Sequence, residues 1–216
     1  MNFLVKKQFG GFLKRIIKYC TILSFLLFIF VFVSIHSYAS TISSNLSDNF
    51  FRLHIIANSN SAKDQSLKLL VRNAILEHLK SQNYSDCTKD EVISFVSQNL
   101  EEYKKVAENT IENAGYNYPV KVSISNTFFP TKEYGNISLP SGFYDALKIE
   151  IGNASGENWW CSLFPPLCFV DISSGIIDEE SQNSLKDNLS EEEYAIITQN
   201  NQSIKLKFKI IEFFSN

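Results

Sequence analysis

Cys161 or Cys168 together with His54 or His78 are the side chains of this sequence that could combine as a nucleophile and its base. A thiol beside an imidazole is the composition of a Cys/His hydrolase, in which the base takes the proton from sulfur. The surroundings argue against that use. His78 falls on an apolar helical stripe, the usual place of a core residue. His54 shares a strand face with Arg52, and a neighbouring cation holds an imidazole pKa down. No Gly-rich turn exposes either cysteine, and three histidines without a Cys-x-x-Cys give no zinc pattern. No catalytic, cofactor or metal residue is assigned; the extracytoplasmic Cys/His hydrolase stands as an alternative reading.

The two cysteines lie in Asn158–Asp171, NWWCSLFPPLCFVD, an almost uncharged run whose Pro-Pro pair excludes helix and central strand. If the chain reverses near Phe164-Pro165, residues 161 and 168 face each other. Opposed hairpin residues have Cα atoms about 4.5–5.5 Å apart, within disulfide range. Closing so short a loop contributes roughly 2.5 kcal/mol by chain entropy. Two buried free thiols acting as small hydrophobes are the alternative. Trp159 and Trp160 point to opposite sides of an extended chain, so one is core and the other is exposed or covered. Exposed tryptophan is favoured at binding hot spots, which makes the pair a candidate partner surface.

The elements that must position these residues begin at Phe50–Ala57, FFRLHIIA, a short strand with Leu53, Ile55 and Ala57 on one face and Arg52, His54 and Ile56 on the other. A turn cluster, Asn58–Ser61, follows. Ser61 with Asp64 reads as a capping box, and the helix behind it carries Leu67, Leu70, Val71, Ala74, Ile75, His78 and Leu79 at helical spacing. Burying that stripe is worth on the order of 10 kcal/mol gross, against about 1 for the cap. Asn58, Asp64, Gln65, Lys68 and Arg72 gather around the turn and one helix face. They read either as a second candidate partner surface or as a capped helix with i,i+4 ion pairs such as Asp64–Lys68.

Thr88 with Glu91 opens another helix, striped by Val92, Val96, Leu100, Tyr103, Ala107, Ile111 and Ala114 and stopped at Gly115. Val120, Val122 and Ile124 alternate with polar residues as a strand. After a loop over Pro130–Gly142, a second strand holds Phe143, Leu147, Ile149 and Ile151 inward. The stretch from Ile176 to Tyr194 is acidic, with a helix start at Ser190 and Glu193. Ile204, Leu206, Phe208 and Ile210 alternate with lysines as a terminal strand. This order predicts an α+β fold: two amphipathic helices packed on a mostly antiparallel sheet.

Residues 1–39 hold five of the 20 cationic side chains and no acidic one, leaving 15 basic against 23 acidic beyond them, a body of −8. So acidic a body has no footprint for nucleic acid. The five cations precede an apolar run, Tyr19–Ile35, and Ser37-Tyr38-Ala39 follows with small residues at alternate positions. That order reads as a secretory signal cleaved after Ala39, with an anchor retained in the membrane as the alternative. The expected organisation is a signal or anchor over 1–39, a polar linker over 40–49 and one domain over 50–216.

Three blocks carry a resemblance. RLHIIANSNSAKDQSLKLLVRNAI (Arg52–Ile75) resembles the opening block of stage II sporulation protein R. LPSGFYDALKIEIGNASGENWWCSLFPPLCFVD (Leu139–Asp171) resembles the second, and FKIIE (Phe208–Glu212) is similar to the family's ending. The Cys87 segment and the acidic 178–193 stretch match neither block. The resemblance implies a non-enzymatic protein made in the forespore and exported into the space between the two membranes that separate it from the mother cell. There it implies a partner: a membrane-embedded aspartic protease that removes the propeptide of the sigma-E precursor. A structural envelope protein is the third class of reading.

Overall fold

The computed structural model describes residues 2–82, 87–168, 177 and 179–198. Two units are distinguished, 1–42 and 43–216. The described residues of the first lie in helix α1, Asn2–Asp48, whose segment Arg15–Ser37 is 23 residues long and apolar enough to cross a membrane. At 1.5 Å per residue that spans roughly 34 Å, the thickness of a hydrocarbon core. The expected linker is not a loop: α1 continues through Asp48. Residues 40–49 contain neither Gly nor Pro to stop a helix, and Leu46 is fully buried in the second unit.

The second unit is built on a four-stranded sheet ordered β2-β5-β1-β6, from β1 (Phe51–Ile56), β2 (Val120–Phe129), β5 (Gly142–Ile151) and β6 (Asn158–Phe164). β5 pairs antiparallel with β2 and parallel with β1, and β6 pairs antiparallel with β1, so the sheet is mostly antiparallel. The register sets Leu53 beside Leu147 and Cys161, and Ile55 beside Ile149 and Trp159. These residues share the face on which α2 (Ala62–Lys80) lies, since Arg72 of α2 covers Trp159. Leu67, Val71, Ile75, Leu76 and Leu79 are its buried stripe, while Leu70 is about half exposed.

The long second helix expected from the sequence is two: α3 (Lys89–Gln98) and α4 (Leu100–Asn113). Asn99 leaves helical geometry at φ −114°, ψ 20°, and its amide donates to Phe95 O at 2.8 Å. An Asn side chain that satisfies a nearby carbonyl offers the backbone this exit. The capping box at Thr88 is complete, with Glu91 accepting from Thr88 N and Thr88 Oγ1 accepting from Glu91 N.

The opposite face of the sheet is also covered, which the sequence reading did not foresee. The Pro130–Gly142 stretch holds a small hairpin, β3 (Lys132–Tyr134) with β4 (Ile137–Leu139), and Tyr134, Ile137 and Leu139 are buried. Helices α5 (Glu179–Asn188) and α6 (Glu191–Thr198) complete the described chain, and α6 packs against β4. Ser190 and Glu193 form the reciprocal bonds expected at the α6 start. On β5, Phe143 is 63% exposed rather than inward, and Tyr144 and Ala146 are buried on the hairpin side. The expected strand Ile204–Ile210, the FKIIE block and residues 169–171 lie outside the described residues.

Candidate functional site

The turn after β1 is a polar lattice rather than an open surface. The Asp64 carboxylate accepts from Asn58 Nδ2 at 2.9 Å and from Ser59 Oγ at 2.5 Å. Ser61 caps α2 by accepting from Asp64 N at 3.2 Å, but the reverse bond of a capping box is absent, because Asp64 is turned toward Asn58 and Ser59. Asn58 Oδ1 accepts from Asn153 N, Asn58 O from Ser155, Asn60 Oδ1 from Glu157 N, and Gln65 Nε2 donates to Ser59 O. These bonds tie the β1–α2 turn to the β5–β6 turn. A Cβ at Gly156 would collide with the Ser59 carbonyl, so only glycine permits the approach. The Ser59 hydroxyl, then the Asn58 amide, hold the Asp64 carboxyl below its ordinary pKa. Three of the five polar candidates, Asn58, Asp64 and Gln65, therefore make internal bonds that fix the loop.

Lys68 and Arg72 are placed differently. Lys68 is only 5% exposed, and its ammonium donates to Gln65 Oε1 at 2.7 Å and Glu157 O at 3.0 Å instead of pairing with Asp64. Arg72 bonds Asn73 and lays its guanidinium 4.1 Å from the centroid of the Trp159 ring. Desolvation lowers the pKa of both. Neither forms an ion pair among the described residues, whereas Lys89, Lys121 and Lys148 all do.

Trp159 and Trp160 are half-buried on opposite faces of β6. Trp160 stacks on His54 at 3.8 Å and meets Phe129 at 4.5 Å. Cys161 and Cys168 are joined as a disulfide with Cα atoms 5.2 Å apart, and the N–H groups of Leu167 and Cys168 fold back onto Ser162 O. The chain reverses over the proline pair, behind a cis Phe164-Pro165 bond. In this form Cys161 carries no thiol, and His54 Nε2 is engaged by Asn158 Oδ1 at 2.8 Å. His78 faces Tyr103 and lies 3.4 Å from Glu102. Thus the structure brings neither histidine to a free cysteine among the described residues. Cys87 is a half-buried free thiol and Cys20 an exposed one.

Sequence reasoning missed the cluster behind Trp160. Arg52 is fully buried, with Nε donating to Cys161 O at 3.2 Å and Nη2 to the Tyr134 hydroxyl at 2.7 Å. Its guanidinium lies 4.3 Å from the Phe129 ring centroid and 4.9 Å from that of Tyr144, contacts worth about 1–2 kcal/mol each when desolvated. Burial pushes the Tyr144 hydroxyl up to about 12 and the His54 imidazole down to about 4. The signal available beforehand was an arginine inside the apolar run FFRLHII.

A cleft of about 440 Å³ runs beside β6, between α2 and the β3–β4 hairpin, lined by Gln65, Lys68, Lys132, Tyr134, Trp159 and Trp160 among others. It gathers four of the sequence-predicted partner residues with both cysteines of the disulfide at its wall.

Residues 47–174 match the family described as stage II sporulation protein R. The chain is also 40% identical over 136 residues to the stage II sporulation protein R of Bacillus subtilis (strain 168), an alignment covering 63% of this chain and 61% of that relative. The chain thus spans about three-fifths of the relative's length. No solved structure matches it. The matched region contains the four-stranded sheet, helices α2 to α4, the disulfide and the cleft, and the chain belongs to the stage II sporulation protein R family.

Proposed function

We propose that this protein is an exported sporulation signal that acts by contact, switching on a membrane-embedded aspartic protease of the mother cell that processes the sigma-E precursor. The family match over residues 47–174 is the observation that carries the reading, because it brings a sporulation role with it. The apolar segment Arg15–Ser37, with basic residues before it, is compatible with export from the forespore into the intermembrane space, either as a cleaved signal or as an anchor. Activation by contact rather than by chemistry is favoured by the disulfide at Cys161, which leaves a would-be Cys/His pair without its thiol.

The test is reconstitution in a host that does not sporulate. The protease and the sigma-E precursor are expressed with and without this chain, and precursor cleavage is scored by gel mobility. Cleavage that requires the chain supports the reading. Cleavage of equal extent without it, or none in either case while all three proteins are present, contradicts it.

A further inference from the structure

The two edges of the sheet are finished differently. β6 is closed by its own chain: Trp160 O accepts from the Tyr134 hydroxyl, and Ser162 O from the returning Leu167 and Cys168. β2, at the other edge, has β5 as its one neighbour among the described residues. Gly152 N donates to Pro119 O, next to the first pair of that ladder, Val120 with Ile151. By the two-residue period of antiparallel pairing, Lys121, Ser123, Ser125, Thr127 and Phe129 then bond to β5. The N–H and C=O groups of Val120, Val122, Ile124, Asn126 and Phe128 point outward, and no hydrogen bond reaches them among the described residues.

Proteins blunt an open edge with charge, proline, a bulge or short length. β2 runs for 10 residues in unbroken register with β5, and Lys121 is its one charged side chain. Proline bounds it, at Pro119 and Pro130, but does not enter it. One face of the edge is polar, with Lys121, Ser123, Ser125 and Thr127. The other holds Val122, Ile124 and Phe128, all half-buried, and Phe143 of β5, exposed beside Phe128. Such an edge accepts a strand with one apolar and one polar face. A second copy of β2, antiparallel about Ile124, is that strand. It sets Ile124 against its own copy, Val120 against Phe128 and Ser123 against Ser125, cross-strand pairs that stabilise a sheet. Lys121 meets Thr127, so the two like charges stay apart. The run Ile204–Ile210 of this chain also alternates, but it would add Lys205, Lys207 and Lys209 to the face where Lys121 and Lys148 already share the carboxylate of Glu150.

We infer that two copies of this chain pair through β2, antiparallel about Ile124, in a two-fold dimer that joins their four-stranded sheets edge to edge. The contact is isologous: the same strand serves both sides, so it closes at two copies and leaves no further β2 edge. Backbone bonds supply affinity, the apolar row is covered, and the position of Lys121 selects the register. The cleft beside β6 lies at the far edge of each sheet, so the pair presents two clefts.

The test uses the full chain in detergent micelles, in a Cys20→Ser, Cys87→Ser background. Opposed residues that exchange backbone bonds have Cα atoms about 5.5 Å apart, within disulfide range. Ile124→Cys should therefore cross-link two chains under mild oxidation. Asn126→Cys should not, because in this register it lies about 13 Å from its own copy. Light scattering, corrected for bound detergent, should give twice the chain mass. Ile124→Lys sets two ammonium groups face to face and should weaken self-association at least tenfold, with the circular dichroism spectrum unchanged. Val122→Pro should do the same, since the N–H it removes points outward and not to β5. A single-chain mass at every concentration, cross-linking at 126 as strong as at 124, or association indifferent to both variants would overturn the proposal. So would cross-linking at 124 that appears only after residues 199–216 are deleted, which would make the chain's own end the occupant. These readouts do not involve sigma-E processing, so failure here leaves the reconstitution result standing, and the reverse.

Discussion

The guanidinium of Arg72 lies 4.1 Å from the centroid of the Trp159 ring, joining the middle of α2 to the edge strand β6. This contact assigns the two tryptophans different jobs. Trp159 is held by a cation on the helix side, and Trp160 by His54 and Phe129 on the hairpin side. Replacing Arg72 by Ala should cost about 1 kcal/mol, as expected for a partly desolvated cation–π pair, read as a lower urea midpoint. In a Trp160→Phe background, where Trp159 is the only tryptophan, the same change should shift fluorescence emission to the red. An unchanged spectrum would mean the ring is not covered in solution.

The Asp64 lattice separates stability from recognition. Asp64→Ala removes the acceptor for Asn58 and Ser59 and should destabilise the protein by roughly 2–3 kcal/mol. Gly156→Ala should also destabilise it, because the added Cβ meets the Ser59 carbonyl. Lys132→Glu, on the half-buried start of the hairpin, should leave the melting temperature nearly unchanged. Thermal melts of the three variants check the order. A Lys132→Glu variant as unstable as Asp64→Ala would break it.

The disulfide has a direct mass signature. Intact protein should be lighter than its reduced form by two protons, and Cys168→Ser should lower stability by roughly 2.5 kcal/mol for a loop this short. Equal masses before and after reductant would show two free thiols.

Acid should weaken the fold from near neutrality downward. His54 has its folded pKa lowered to about 4 from 6.5, so the folded state resists a proton that the unfolded chain accepts. The stability of this site is complete above pH 6.5 and falls as pH drops from 6.5 toward 4. Asp64, also shifted down, adds a loss at lower pH still, as its own carboxyl becomes protonated. His54→Phe keeps an aromatic ring against Trp160 and removes the first of these losses. Denaturation midpoints between pH 7.5 and 4 should therefore slope for the wild type and be flatter for the variant. Parallel slopes would contradict the burial of a neutral imidazole.

Much of the fold was legible because burial writes a period into sequence. The α2 stripe from Leu67 to Leu79 announces one buried face, and the alternation at Val120–Ile124 announces the strand β2, although Val122 and Ile124 are only half-buried in it. The split at Asn99 was hidden because Val92, Val96, Tyr103 and Ala107 keep a helical spacing across it. The hairpin was hidden because strands of three residues, Lys132–Tyr134 and Ile137–Leu139, are too short to show a period. Missing the hairpin meant missing what covers Arg52 and His54, so a fully buried arginine read as the outer face of a half-exposed strand. At the candidate site, residue types pointed to the right turn and strand. Which polar groups bond inward, as Asp64 does, and which line the cleft, as Lys68 does, depended on the β5–β6 turn that meets them, far away in sequence.

The most direct test of the account joins the cleft to the proposed signal. In the reconstituted system, wild type, Lys132→Glu and Trp159→Ala are exported at matched levels, with folding verified by circular dichroism, and sigma-E precursor cleavage is quantified. The account predicts processing with the wild type and at least a tenfold loss with either folded variant. Full processing by both variants would place the activating contact elsewhere and contradict it.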